Sequence, residues 1–435
     1  MSFVRTLNQD SLSSAETDDL FARQEWSAAE TLDACQSIVE AVRERGDSAL
    51  LEFTERFDGV TLTTATLRVS AAEIDQAESR LSPPLREALD RAIANIDRFH
   101  RTQLDRGMSL TEVESGVWCG ERTTPIDSAC LYVPRGRGAF SSVACMLAVP
   151  AKLANVDRVI VCTPPGPDGS VDAATLYALK QIGIDEIYRV GGAQAIAAVA
   201  YGTETIPRCA KVVGPGNVYV SAARQILASR IDPGPPAGPS ESLVLADGWA
   251  NVENVAWNLM IEAEHGENSS AWLLTDCEQL ATDVAETVER LLPKLTQQRQ
   301  DYVREVLTSR GGIIVCKDLT AVARLANQYA AEHVAIMVRE PWGLLPQITN
   351  AGEILLGDYP IMSLANYAMG INAILPTGGR AQTYSGVSVR DFTKISSIGY
   401  LTKQGFESLG RFVPTLSRDE GFSAHHEAIL GWRHS

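Results

Sequence analysis

The sequence predicts an α/β protein with two doubly wound parallel-sheet units, an N-terminal helical arm and a C-terminal helical tail. Three observations carry that expectation. Short apolar runs alternate with helix-length stretches from about residue 129 onward. The alternation is broken once, by the Pro/Gly-rich "DPGPPAGPS" at 232–240, and it stops before 386. A chain of 435 residues also exceeds what one ordinary core fills.

Each element has a local reason. In 28–57 the apolar positions Leu32, Cys35, Ile38, Val39 and Val42, then Leu50, Leu51 and Phe53, recur at helical spacing, and Asp58-Gly59 closes the unit. A second long helix is expected over 82–107, with Ser82 as cap and prolines in its first turn. The βαβ rhythm then runs "ACLYV", helix 143–155; "RVIVC", helix 172–182; "EIYRV", helix 192–203; "AKVVG", helix 216–229. After the break it restarts with "SLVLAD", helix 251–265; "AWLLT", helix 277–292; "GIIVC", helix 318–330; "HVAIMV", helix 340–350; and "EILLG". Strands joined by helices imply parallel pairing.

Bulk properties exclude some functions. A formal charge of −16 disfavours nucleic acid and anionic membrane surfaces, because a phosphate track needs clustered Lys and Arg. The N-terminus lacks a signal-peptide apolar run, and no window reaches ~18 uninterrupted apolar residues, so a cytoplasmic chain is expected. The eight cysteines are scattered through apolar words without a Cys-x-x-Cys pair, which reads as reduced core thiols.

Six histidines are present, and two sit in the same word: Ala-Glu-His at 263–265 and again at 331–333. Glu262 and His265 are three apart at the end of a predicted helix and share one face. That spacing suits half of a metal site, or a surface pair in which the imidazolium complements the helix dipole. Glu332 and His333 precede a strand, where adjacent side chains of an extended chain point to opposite sides. They read as a separate base and water activator, or as a capping pair. An open α/β sheet places its ligand crevice at the carboxyl ends of its strands. There, "GRGAFS" (136–141) lacks the third glycine of a dinucleotide fingerprint, and "VGPGN" (213–217) offers a helix start suited to an anion or a plain turn. His425 and His426 fall on a tail helix, where an exposed polar face is expected.

The words "LYVPRGRG", "GGAQAIAA", "VGPGNVYV", "PAGPSE", "AEHG", "AEHVAIM", "NYAMGINAILPTGG" and "SAHHEA" resemble, in order and spacing, the histidinol dehydrogenase family. The resemblance covers the chain from about 28 onward. It implies two Rossmann-like domains, a domain-swapped homodimer, one zinc per subunit, and NAD-dependent oxidation of an amino alcohol through the aldehyde to the acid. By position it places the zinc on Glu262, His265, Asn366 and His425. The general base falls on His333, the water-activating carboxylate on Glu332, and NAD contacts on Tyr132, Gln194 and Asn217. Substrate contacts fall on Ser240, Glu420 and His333, with the zinc ligands also facing the substrate. The implied division is an arm 1–25, a catalytic domain 26–131 plus 240–385, an NAD domain 132–239, and a helical tail 386–435 swapped in the dimer.

Three departures stand out. The family has Gln where Glu262 stands and Asp where Asn366 stands, so carboxylate and amide have exchanged places while the summed charge is kept. Ala373 replaces a pocket histidine. Arg135-Gly136 replaces Gly-Gly, with Arg137 next. The expected substrate is L-histidinol. The alternatives are another small alcohol, such as a sulfonated diol, and a non-catalytic relative.

Overall fold

The computed structural model describes residues 2–23, 29–105, 107–135, 138 and 140–432. Gly136 and Arg137, from the loop that departs from the family pattern, lie outside these. The described strands, in chain order, begin with β1 (Thr6–Asn8), β2 (Met108–Glu114), β3 (Val117–Pro125), β4 (Ser128–Tyr132) and β5 (Arg158–Thr163). They continue with β6 (Ile187–Arg189), β7 (Lys211–Val213), β8 (Glu241–Ala246) and β9 (Ser270–Thr275). The last are β10 (Gly312–Val315), β11 (His333–Met337), β12 (Glu353–Leu356) and β13 (Thr393–Leu401). They divide between two units: Met1–Gln103 with Asp127–Phe392, and Leu104–Ile126 with Thr393–Ser435.

The first unit holds both parallel sheets. One runs β1-β10-β9-β8-β11-β12, and winding reverses between β8 and β11. The other runs β6-β5-β4-β7 and reverses between β4 and β7. Both are doubly wound, as the alternation of apolar runs and helices predicts. The strands of the larger sheet are apolar on both faces because helices cover both. Ala335, Met337 and Leu355 pack on one side with the helix Val252–Ala263; Val334 and Ile336 pack on the other with the helix Leu319–Tyr329. The helix Val252–Ala263 forms because Asn251 caps it through the Asn254 N–H, and it buries Val255, Ala256, Leu259, Met260 and Ala263 along one stripe.

The structure adds three details to that reading. The stretch 28–57 is two helices, Ala29–Arg45 and Asp47–Asp58, hinged at Gly46 with φ +53°. A Cβ there would also meet the Glu204 carboxylate, which leaves glycine the residue that fits. Both helices bury Cys35, Val39, Leu50 and Phe53 against the β4-to-β7 sheet, so this part of 26–131 packs with the segment 132–239. Third, the mainly helical tail also carries a strand. It opens with β13, which pairs antiparallel with β3, and β3 pairs with β2. Helices Lys403–Gly410, Val413–Asp419 and Ser423–Gly431 complete the second unit. Among the described residues no helix is long and apolar enough to cross a membrane.

Candidate active site

β8, β11 and β12 each begin with a polar word, and because they are parallel, those words share one edge of the sheet. Ser240 precedes β8, Glu332 precedes β11, His333 opens β11 and Glu353 opens β12. The helix Val252–Ala263 runs antiparallel to the strands, so its last turn returns to the same edge and delivers Glu262 and His265. The catalytic candidates therefore meet at the amino ends of the strands that flank the winding reversal, whereas the fold rule points to the carboxyl ends. A carboxylate and an imidazole placed at a helix C-terminus and at strand starts can meet only there.

The contacts are close. Glu262 Oε2 lies 2.9 Å from His265 Nδ1, and the same nitrogen lies 2.9 Å from Ser240 Oγ. Asn366, on the helix Met362–Tyr367, donates through Nδ2 to Glu262 Oε1 at 3.0 Å. His333 Nδ1 is 2.6 Å from Glu353 Oε1, and its Nε2 is 3.6 Å from Glu332 Oε1. Glu332 and His333 thus face each other, contrary to the alternation expected of an extended chain. Glu332 sits in the bend before β11, where strand alternation does not yet apply. Its Oε2 accepts the Glu241 N–H at 3.0 Å. Glu241 is held in turn by a forked pair with Arg23 and by the Gly378 N–H.

Burial and mutual charge set the protonation. Burial pushes the Glu332 carboxyl up to about 8. Burial alone would lower His333, but the charges of Glu262, Glu332 and Glu353 outweigh it and lift the ring to about 10. Glu262 goes the other way. Burial opposes its charge, yet His265, His333 and the Asn366 amide hold it well below the usual carboxylate range. His265 is raised chiefly by Glu262. Two carboxyls in one buried cluster with proton affinities pushed apart are the usual basis for divided acid and base roles.

Glu262, His265 and Asn366 fit a divalent cation. Asn366 Oδ1 is a buried oxygen that accepts no hydrogen bond, and Glu262 Oε2 beside it has only the His265 ring within reach, an arrangement costly without a cation or donor. The set supplies one carboxylate, one imidazole and one neutral amide oxygen, all donors zinc accepts. No group of three His, Cys, Asp or Glu placed to hold a metal is found among the described residues, and Glu262, His265 and Asn366 supply three donors where zinc takes four. His425 belongs to the second unit, exposed on Ser423–Gly431, and Glu420 caps Val413–Asp419.

The cofactor candidates gather at the reversal of the smaller sheet. Tyr132 ends β4, Gln194 lies in the helix Gly192–Tyr201 after β6, and Asn217 caps the helix Val218–Leu227 after β7. All three line one cavity of about 830 Å³. Tyr132 Oη accepts the Gly192 N–H at 3.0 Å, and Gln194 Oε1 is buried with no partner. Gly214, φ +136°, brings the β7 turn against Tyr132, where a Cβ would strike the Tyr132 carbonyl. Arg135 lines this cavity and donates to the Ser170 carbonyl; it is not part of the His333 cluster. Asp58 also lines it, a residue the sequence marked only as a helix end. Glu353, Glu241 and Arg23 were likewise missed, since a charge at a strand start or in an arm carries no sequence signal of its own.

A family model described as histidinol dehydrogenase matches residues 21–431. The chain is 43% identical to the histidinol dehydrogenase of Synechocystis sp., with 98% of each chain covered. It is also 43% identical to a protein of Colwellia psychrerythraea named histidinol dehydrogenase homolog, over 96% of this chain and 94% of that one. The crystal structure of histidinol dehydrogenase from Elizabethkingia anophelis matches with a TM-score of 0.93 at 35% identity, covering 99% of this chain and 98% of that chain.

Proposed function

We propose, from the premise that the chain belongs to the histidinol dehydrogenase family, that it oxidises L-histidinol through the aldehyde to L-histidine. The family is one of NAD-dependent oxidoreductases. The observation that carries the reading is the Glu332–His333 pair, buried beside the Glu262–His265–Asn366 cluster. Those three, with His425 of the tail, would hold zinc, and Tyr132, Gln194 and Asn217 would hold NAD. The ion would supply a Lewis acid for the substrate's amino group and a charge that lowers the proton affinity of His333 and Glu332.

The chain's own residues then divide the work. His333 Nε2 takes the hydroxyl proton as hydride leaves the alcohol carbon. Glu332 Oε1 takes a proton from the water that adds to the aldehyde, and His333 takes the second hydroxyl proton as the hydrate loses hydride. Ser240 and Glu420 hold the substrate. A pocket that keeps the aldehyde bound has no need to release a reactive intermediate. We read the subunit as half of a homodimer acting on a small molecule in the cytoplasm.

A second reading, another small alcohol oxidised by the same chemistry, is favoured by Ala373, which offers no ring to an imidazole substrate. A sulfonated diol fits this pocket least, because Glu262, Glu332 and Glu353 crowd His333 while Arg135 lies at the cofactor cavity. Purified zinc-loaded protein, assayed with NAD against L-histidinol, L-histidinal and other small primary alcohols, separates the two. Turnover of L-histidinol to L-histidine supports the first; turnover of a different alcohol only would establish the second.

A further inference from the structure

The pair formed by His333 and Glu353 is not required by the division of roles above. The two residues open neighbouring parallel strands and are register partners, so their side chains leave the sheet on the same face. Both are buried, and Glu353 Oε1 lies 2.6 Å from His333 Nδ1. An ionised carboxylate only accepts hydrogen bonds. The proton of the neutral ring therefore belongs on Nδ1, and the Nε2 lone pair is left on the side of Glu332.

His333 is the one charged partner that accounts for Glu353 among the described residues. No Arg or Lys pairs with it among the described residues, and its second oxygen, Oε2, is buried with no partner. A half-satisfied carboxylate at the start of a strand that continues Ile354, Leu355 and Leu356 costs stability relative to an aliphatic side chain. Stability alone would select against it. The contact it makes is directed at the one ring nitrogen whose protonation decides which nitrogen can act as a base.

We propose that Glu353 is the positioning residue of the general base: it fixes the tautomer and plane of His333 and stabilises the imidazolium formed when Nε2 takes the substrate's proton. The inference rests on the reading of His333 as the base. It concerns atoms the substrate does not touch, so its effect falls on turnover rather than on binding. The groups facing His333 are Glu332 before its own strand, Glu353 on β12, Glu262 at the end of the helix Val252–Ala263, and His265 just beyond that helix. Of these only Glu353 reaches Nδ1.

The test uses zinc-loaded enzyme with saturating NAD and L-histidinol, or the alcohol that the substrate screen shows to be oxidised. Glu353→Leu is expected to lower kcat 10- to 100-fold, leave KM within about twofold and leave the melting temperature unchanged or higher. Glu353→Gln, whose amide oxygen still accepts from Nδ1, is expected to recover a substantial part of that loss. In a His333→Ala background, Glu353→Leu should change kcat no further, since the two act as one unit. An unchanged kcat in Glu353→Leu, or Gln and Leu variants equally impaired together with an equal fractional loss in the His333→Ala background, would overturn the proposal. A His333→Ala enzyme with full activity would instead remove the base assignment itself, a distinct result.

Discussion

Asn366 and Glu262 are joined by one hydrogen bond of 3.0 Å, which turns the exchanged carboxylate and amide into a measurable coupling. Glu262→Gln removes the only carboxylate of the proposed zinc set and should abolish most zinc binding. Adding Asn366→Asp should restore much of it. Zinc affinities for the wild type, both singles and the double test this; effects additive within ~0.5 kcal/mol would mean the two positions do not share a metal. Glu332 and His333 should separate kinetically. His333→Ala is expected to slow both oxidations by roughly 10²–10⁴-fold, whereas Glu332→Gln should slow acid formation from the aldehyde more than the first hydride step. Equal losses of Glu332→Gln on alcohol and aldehyde would contradict the division. Asp58 offers a pH test away from the metal. Burial raises its carboxyl to about 6 from an ordinary 3.8. A raised acid favours the folded state below 3.8, and that contribution is lost as pH rises through 6. Asp58→Asn should therefore stabilise the fold at pH 7–8 by ~1 kcal/mol after solvent screening, read as a higher melting temperature, with the gain vanishing near pH 4. A gain independent of pH would show that charge is not its cause.

At the scale of elements, Asn217 shows how one residue serves the fold and a candidate site together. Its Oδ1 accepts from the Tyr219 and Val220 N–H groups and caps the helix Val218–Leu227. Capping explains the residue without any cofactor, so the two roles must be separated. Asn217→Ser keeps a cap and should cost only a few tenths of a kcal/mol in stability; if Nδ2 also holds NAD, its KM for NAD should still rise several-fold. An unchanged KM would leave Asn217 as a cap alone. The helices and apolar strands were legible in the sequence because burial imposes a period on them. β2 was not: every one of its residues is exposed, so no apolar face marks it. β13 is exposed over most of its length, and its pairing with β3 joins segments nearly three hundred residues apart. Contacts of that separation leave no local pattern.

For the whole molecule, the second unit raises the question of a partner. Leu416, Phe422, Leu430 and Trp432 are more than half exposed on or beside the tail helices, a concentration of apolar surface typical of an interface. If the tail is swapped in a homodimer and carries Glu420 and His425 into the site, Leu416→Glu with Leu430→Glu should give a monomer by light scattering. Zinc content and kcat should fall with it, kcat by at least about 10²-fold. An active monomer would refute the swapped site. Local chemistry was sufficient to determine the α/β rhythm, its break at 232–240, the reduced thiols and the words that identify the family, because each depends on neighbours within a few residues. Tertiary structure alone decided that the Ala-Glu-His words meet at the amino edge of one sheet, that Glu332 turns toward His333, and that Glu353 grips the ring's far side. Strand register and helix return set those distances, and both arise from packing between segments that the sequence holds far apart.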